Sequence, residues 1–167
     1  MRRIFSLIII ACCALMSVIA APTLNEPRKF DEFGDICCED EKARLDNFAI
    51  ELQNNPEARG YIIFYGGQRY PSCWYGGRRY NARRPRFGEA EARVARIKPY
   101  LVNLRGFSPD RIVVVNGGFR ESWMAELWIV PSGAQPPTPT PTLQRQDIRY
   151  WRGRVTLREF QLQCMEG

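Results

Sequence analysis

Apolar residues recur at two periods along this chain, and the switches between them mark out its elements. Leu45, Phe48, Ala49 and Leu52 fall at helical spacing and predict a first helix with one apolar face. Glu39, Asp40 and Glu41 put negative charge in its first turn, where the helix dipole favours it. Asn54, Asn55 and Pro56 end it. The run Gly60 to Tyr65 is β-branched and aromatic without polar alternation, closed by Gly66-Gly67. That pattern predicts a buried strand. Ala90, Val94, Ile97, Leu101 and Leu104 form the stripe of a second helix from Gly88 or Glu89. Pro99 lies inside the stripe and predicts a kink near Ala95, and Gly106 predicts the C-terminal stop.

Ser108-Pro109-Asp110 is turn chemistry ahead of a strand from Arg111 to Asn116. Asn116-Gly117-Gly118 predicts a turn, with Met124 to Val130 as partner strand in a hairpin-like pair. A short strand over Lys29 to Phe33 precedes all of these. The order strand, helix, strand, helix, strand, strand predicts an α+β fold. It is a two-layer βαβαββ sandwich, a mixed sheet with two helices packed on one face. This domain covers residues 29–131, after a leader at 21–28. The Pro/Thr stretch within 132–142 predicts an extended linker, and 143–167 is a C-terminal tail able to form a strand or a hairpin.

The start of the chain follows another rule. Arg2 and Arg3 precede an uncharged, mostly apolar run from Ile4 to Ala21, and Val18-Ile19-Ala20 gives a small-x-small site. Residues 1–20 therefore predict a secretory signal peptide. Two alternatives stay open: an uncleaved membrane anchor, and a lipoprotein box at Ile9-Ile10-Ala11-Cys12. Export implies a periplasmic, outer-membrane-associated or secreted protein in an oxidising compartment. The cysteines beyond the signal, Cys37, Cys38, Cys73 and Cys164, then become disulfide candidates. Three full pairings are open; a bond within the adjacent Cys37-Cys38 pair is strained, and Cys73 is the preferred partner for one of them. Zinc lacks support, since the chain has no histidine and no CxxC spacing.

The formal charge is +6. Arg2 and Arg3 leave with the signal. The segment 66–87 carries Arg69, Arg78, Arg79, Arg83, Arg84 and Arg86 and no acid, so the basic character is local. Trp74, Tyr75, Tyr70, Tyr80 and Phe87 interleave with these arginines. Guanidinium forks match carboxylate and phosphate, and aromatic faces stack on sugars, bases or guanidinium groups. The segment reads as a docking loop for an anionic polymer or surface, or else as a long solvated loop covering the sheet edge. Arg59-Gly60-Tyr61-Ile62 is superficially like an RNA-recognition strand, but Ile62 breaks the motif, and export argues against nucleic acid.

Catalysis finds no foothold. Without histidine, Ser-His-Asp and Cys-His mechanisms are excluded. GxSxG, HExxH and the P-loop are absent, and carboxylates such as Asp46 and Glu51 have ordinary solvated-face spacing. A non-enzymatic protein without cofactor is expected.

Three stretches in order carry a family resemblance over roughly residues 29–131. They are Leu45-Asp46-Asn47-Phe48-Ala49-Ile50-Glu51-Leu52 with Asn54-Asn55-Pro56; Ala92-Arg93-Val94-Ala95-Arg96-Ile97-Lys98-Pro99-Tyr100-Leu101; and Arg105-Gly106-Phe107-Ser108-Pro109-Asp110-Arg111-Ile112. The chain resembles the OmpA-like domain, the peptidoglycan-associating module of Gram-negative envelopes. The resemblance implies a ligand in the peptidoglycan stem peptide, gripped by a helix arginine, here Arg93, and by an aspartate after the second strand. Tyr65-Gly66-Gly67-Gln68 stands where that aspartate would be, so a carboxylate from elsewhere, Glu121 first, is the one to seek. A surface Arg93 paired with Glu89 is the plain alternative. Two functional expectations follow. One is binding of peptidoglycan or another anionic envelope component through Arg93 and the arginine-rich loop. The other is a degenerate scaffold acting on a protein partner through its linker and tail, 143–167.

Overall fold

Strand β2, Arg59–Gln68, is the centre of the molecule because nearly every residue in it is apolar or glycine. The computed structural model describes residues 26–69 and 83–155. The other elements are β1 (Arg28–Phe33), α1 (Cys38–Asn54), α2 (Glu89–Val94), α3 (Ile97–Pro99), β3 (Ile112–Ser122) and β4 (Met124–Val130). They form one mixed four-stranded sheet in the order β1-β4-β2-β3. β2 runs parallel to β3 and antiparallel to β4, and β4 runs antiparallel to β1. The fold is the expected α+β two-layer sandwich, with α1 and the broken second helix on one face.

The period-2 alternation of the strands sorts the core. Ile62 and Phe64 of β2, with Ala125, Leu127 and Ile129 of β4, meet Leu45, Phe48 and Leu52 of α1 and Val94, Ile97 and Leu101 from the second helix. Gly60 is obligatory beneath α1: a Cβ there would lie 2.8 Å from Leu52 and 2.9 Å from Phe48.

The second helix breaks at Ala95-Arg96, where the sequence predicts a kink. Pro99 has no N–H to give the Ala95 carbonyl, so the ladder lapses for a turn and resumes with Tyr100 N–H donating to Arg96 at 3.2 Å. α3 then runs into a π-helical turn, Tyr100–Leu104. The wider turn rotates Leu104 off the stripe, and it is exposed rather than in the expected core. Gly106, at φ +74°, ends the helix as expected.

Two expectations about the last strands are corrected. Asn116-Gly117-Gly118 does not turn the chain; β3 runs through it to Ser122, with register shifts against β2 after Phe64 and after Gly66. Nor are β3 and β4 a hairpin, because β2 lies between them. Only Trp123 joins the two strands, so the chain steps directly over the end of β2. Trp123 N–H donates to the Gln68 carbonyl at 2.9 Å. Gly67 makes the step feasible: a Cβ there would sit 2.3 Å from the Ser122 carbonyl carbon and 2.6 Å from the Arg120 oxygen. The glycine pairs that read as turns are close-approach positions.

The second face of the sheet is covered as well. The proline-threonine segment has no helix or strand from Ala134 to Thr142 and lies along this face. Thr140 N–H donates to Tyr65 Oη at 3.1 Å, and Thr142 and Leu143 both donate to the Phe119 carbonyl. Arg120 clamps the strap, donating to Thr140 Oγ1 at 2.5 Å and to Glu126 at 3.0 Å, with its guanidinium 3.6 Å above the Tyr65 ring. Tyr61, Ile63 and Tyr65 are consequently buried although they face away from the helices.

Candidate functional site

The end of β2, the start of the second helix and the link between β1 and α1 converge, and arginines gather there in two contrasting settings. Arg93 stands on α2 one turn after Glu89, Asp35 follows β1, and Arg69 follows β2. Arg93 is 2% exposed. Its Nη2 lies 2.5 Å from Asp35 Oδ1, and the guanidinium rests 4.3 Å over the Trp123 ring. Asp35 also accepts from Arg69 Nε at 2.8 Å, and Arg69 Nη1 is 2.8 Å from Glu89 Oε1. Glu89 Oε2 accepts the Arg86 backbone N–H at 2.7 Å. The result is a line of ion pairs, Arg93–Asp35–Arg69–Glu89, with two charges of each sign.

Burial pushes the Arg93 guanidinium pKa down; Asp35 opposes this, while Arg69 and Arg96 add to the depression. Burial works against the Arg69 charge too, but Asp35 and Glu89 outweigh it and its pKa is raised. The Asp35 carboxylate is held between two guanidinium groups, from Arg93 and Arg69. This cluster therefore acts as a structural tie joining β1, β2 and α2.

Arg93 is thus neither a surface arginine paired with Glu89 nor open to a polymer as it stands. The carboxylate beside Arg93 is Asp35, from the link after β1, while Glu121 is exposed and lines a pocket with Gln68 at the end of β2. Sequence reasoning missed Asp35 because 58 positions separate it from Arg93. Its only local signal is a carboxylate beside Gly34 in a link too short to let it turn away.

Five further described arginines are matched to carboxylates. Arg96 binds Glu41 through two hydrogen bonds, at 2.8 and 2.5 Å, joining the helices. Arg44 holds Asp31, Arg105 holds Asp46, Arg28 holds Glu51 and Arg120 holds Glu126. Arg111 caps α1, donating to the carbonyls of Leu52, Asn55 and Ala58.

The second setting is a surface. Arg69 and Arg83 exchange two backbone hydrogen bonds of 2.9 Å, so the arginine-aromatic segment leaves and returns at one place. Arg78, Arg79, Trp74 and Tyr75 lie outside the described residues. From Arg83 the chain runs beside the C-terminal tail. Trp151 N–H donates to the Pro85 carbonyl at 2.8 Å, and Val155 N–H to Phe87 at 2.9 Å. This pairing brings Arg84 and Arg86 beside Arg152 and Arg154, with Arg145 over Phe87, while Arg149 lines an adjoining pocket with Glu121 and Asp147. Among the described residues, Arg84, Arg145, Arg149, Arg152 and Arg154 are all exposed and none makes an ion pair. Phe87 and Tyr150 stack at 4.2 Å, Arg145 covers Phe87 at 5.4 Å, and Trp151 stays 63% exposed. A cleft of about 540 Å³ opens where the two segments meet the sheet and α2, lined by Arg86, Phe87, Arg145, Tyr150 and Arg154 and also by Glu89 and Glu91.

Cys37 and Cys38, at the start of α1, are both disulfide-bonded. The other candidates, Cys73 and Cys164, lie outside the described residues, as does the signal at 1–20. Among the described residues no helix is long and apolar enough to cross a membrane. Comparison with protein-family models and with curated protein sequences gives no match.

Proposed function

We propose that this chain is a non-enzymatic cell-envelope module on a divergent OmpA-like scaffold, and that it docks onto an anionic envelope component. The contact surface is the arginine face formed by residues 83–87 and 145–154, and Arg93 serves the scaffold. One observation carries the reading: five exposed arginines are left without carboxylate partners in a domain that pairs most of its others. Unmatched like charges raise the local potential and attract an anionic partner, whether polymer or surface. Peptidoglycan is the polymer that the family resemblance brings forward.

Co-sedimentation with purified sacculi and with anionic vesicles tests the reading. Binding to at least one is expected, weakened by salt and by neutralising Arg149 and Arg152. Binding to neither overturns it. A second reading, a scaffold presenting its tail to a protein partner, is favoured by the closed Arg93–Asp35 pair. It expects partner capture that disappears on deleting 143–167, with no retention by sacculi or vesicles.

A further inference from the structure

We infer that the arginine face docks on an anionic phospholipid surface, with Trp151 entering the headgroup layer. This rests on the docking role proposed above and names its target. The geometry separates a lipid surface from a glycan or a nucleic acid. Polymers with flat rings are held by platforms of open aromatic faces. Here Phe87 stacks on Tyr150 and lies under Arg145, so although Phe87 is 41% exposed, the pair does not present a row of open ring faces. Trp151 is the only large aromatic of the tail left exposed among the described residues. It stands between Arg149 and Arg152, on a bend where Gly153 takes φ +99°.

An exposed indole flanked along the chain by Arg149 and Arg152 matches the membrane interface. There tryptophan places an apolar ring and a polar N–H at headgroup depth, and arginine forks take phosphate oxygens in pairs. Arg84, Arg145, Arg149, Arg152 and Arg154 would supply the charge toward the headgroups; of the acids beside them, Asp147 accepts from Gln144 N–H at 2.8 Å, and Glu91 and Glu121 line the adjoining pockets without an ion pair to these arginines.

The test uses the protein purified from the exported fraction. Vesicles of phosphatidylglycerol mixed with phosphatidylcholine are compared with vesicles of phosphatidylcholine alone, and sacculi are run in parallel. Sedimentation with the anionic vesicles only is expected, reversed at high salt because exposed charges are screened beyond about 10 Å at 0.1 M. Arg149→Gln with Arg152→Gln should weaken partitioning by roughly 30-fold, the product of two headgroup contacts. Trp151→Ala should weaken it several-fold and remove a blue shift in tryptophan emission on binding. Vesicle binding indifferent to these three substitutions overturns the inference. So does capture by sacculi alone, an outcome that leaves the broader docking role standing. Failure with both vesicles and sacculi overturns both.

Discussion

Arg93 and Arg149 are the same residue type put to opposite uses, and the difference lies in what stands beside them. Around Arg93 the chain supplies Asp35, Arg69, Glu89 and Trp123 from four separated stretches, and the guanidinium disappears into the fold. Around Arg149 it supplies Trp151 and Arg152 along the chain and the carboxylates Glu121 and Asp147 across a shallow pocket, and no ion pair of Arg149 forms among the described residues. A buried guanidinium with its counter-ion specifies structure, because removing either partner strands a charge in a medium that solvates it poorly. An exposed guanidinium without one costs the fold little and leaves its field available to another molecule.

The sharpest way to break this comparison is Asp35→Ala. It removes the counter-ion of a 2%-exposed arginine and loosens Arg69 at the same time. A loss of about 3–5 kcal/mol is expected, a fall in Tm of roughly 10 °C for a domain of this size. Thermal unfolding followed by circular dichroism measures it. A Tm within a degree or two of the parent would mean that the buried cluster does not tie the elements together.

Gly67→Ala comes next. The added Cβ meets backbone at 2.3 Å where the chain steps across β2, and no side chain can swing aside to admit it. The cost should be about 1–3 kcal/mol, read from the shift in a urea unfolding midpoint. The substitution also checks whether Asp35 and Arg69 depend on that crossover for their alignment. If they do, this variant and Asp35→Ala will be non-additive.

What the sequence could reveal followed the range of the interactions. The span of α1, the buried strand at 60–65, the break before Pro99 and the stop at Gly106 depend on residues within a turn of each other, and they were legible. The position of β4 beside β1 was not, since Gly66-Gly67 and Gly117-Gly118 have the local form of turns while their role is to admit a neighbouring strand or ring. The strap over 132–142 was hidden for a similar reason. Proline and threonine announce an extended chain, but only Tyr65, Arg120 and Glu126, distant in sequence, say where it lies. The burial of Arg93 was not legible, and its partner was missed because nothing local marks Asp35. The arginine face was half legible: the cluster at 83–86 stood out, whereas its pairing with 149–154 is a tertiary fact.

The strap offers a milder probe. Glu126 is buried, which alone would raise its pKa. Hydrogen bonds from Lys29 and Trp128, with the charges of Lys29 and Arg120, hold it below the ordinary 4.5 instead. A carboxylate depressed in the folded state contributes stability above its unfolded pKa and loses it as pH falls through the lower folded value. Stability should therefore decline on acidification below about 4.5, and Glu126→Gln should be less stable near neutrality while showing a flatter acid limb. An acid limb unchanged by the substitution would assign that decline to other carboxylates.

The smallest expected effect makes the strongest contrast. Arg149→Gln with Arg152→Gln should leave Tm almost where it was, within about 0.5 kcal/mol, because neither side chain holds a partner among the described residues. Relieving repulsion within the patch could even raise stability slightly at low salt. If the pair were instead as damaging as Asp35→Ala, the surface arginines would be structural too, and the division between the two sites would fail. The expected result, near-zero cost to the fold with a large loss at the anionic surface, separates a residue kept for its neighbours in the chain from one kept for a neighbour outside it.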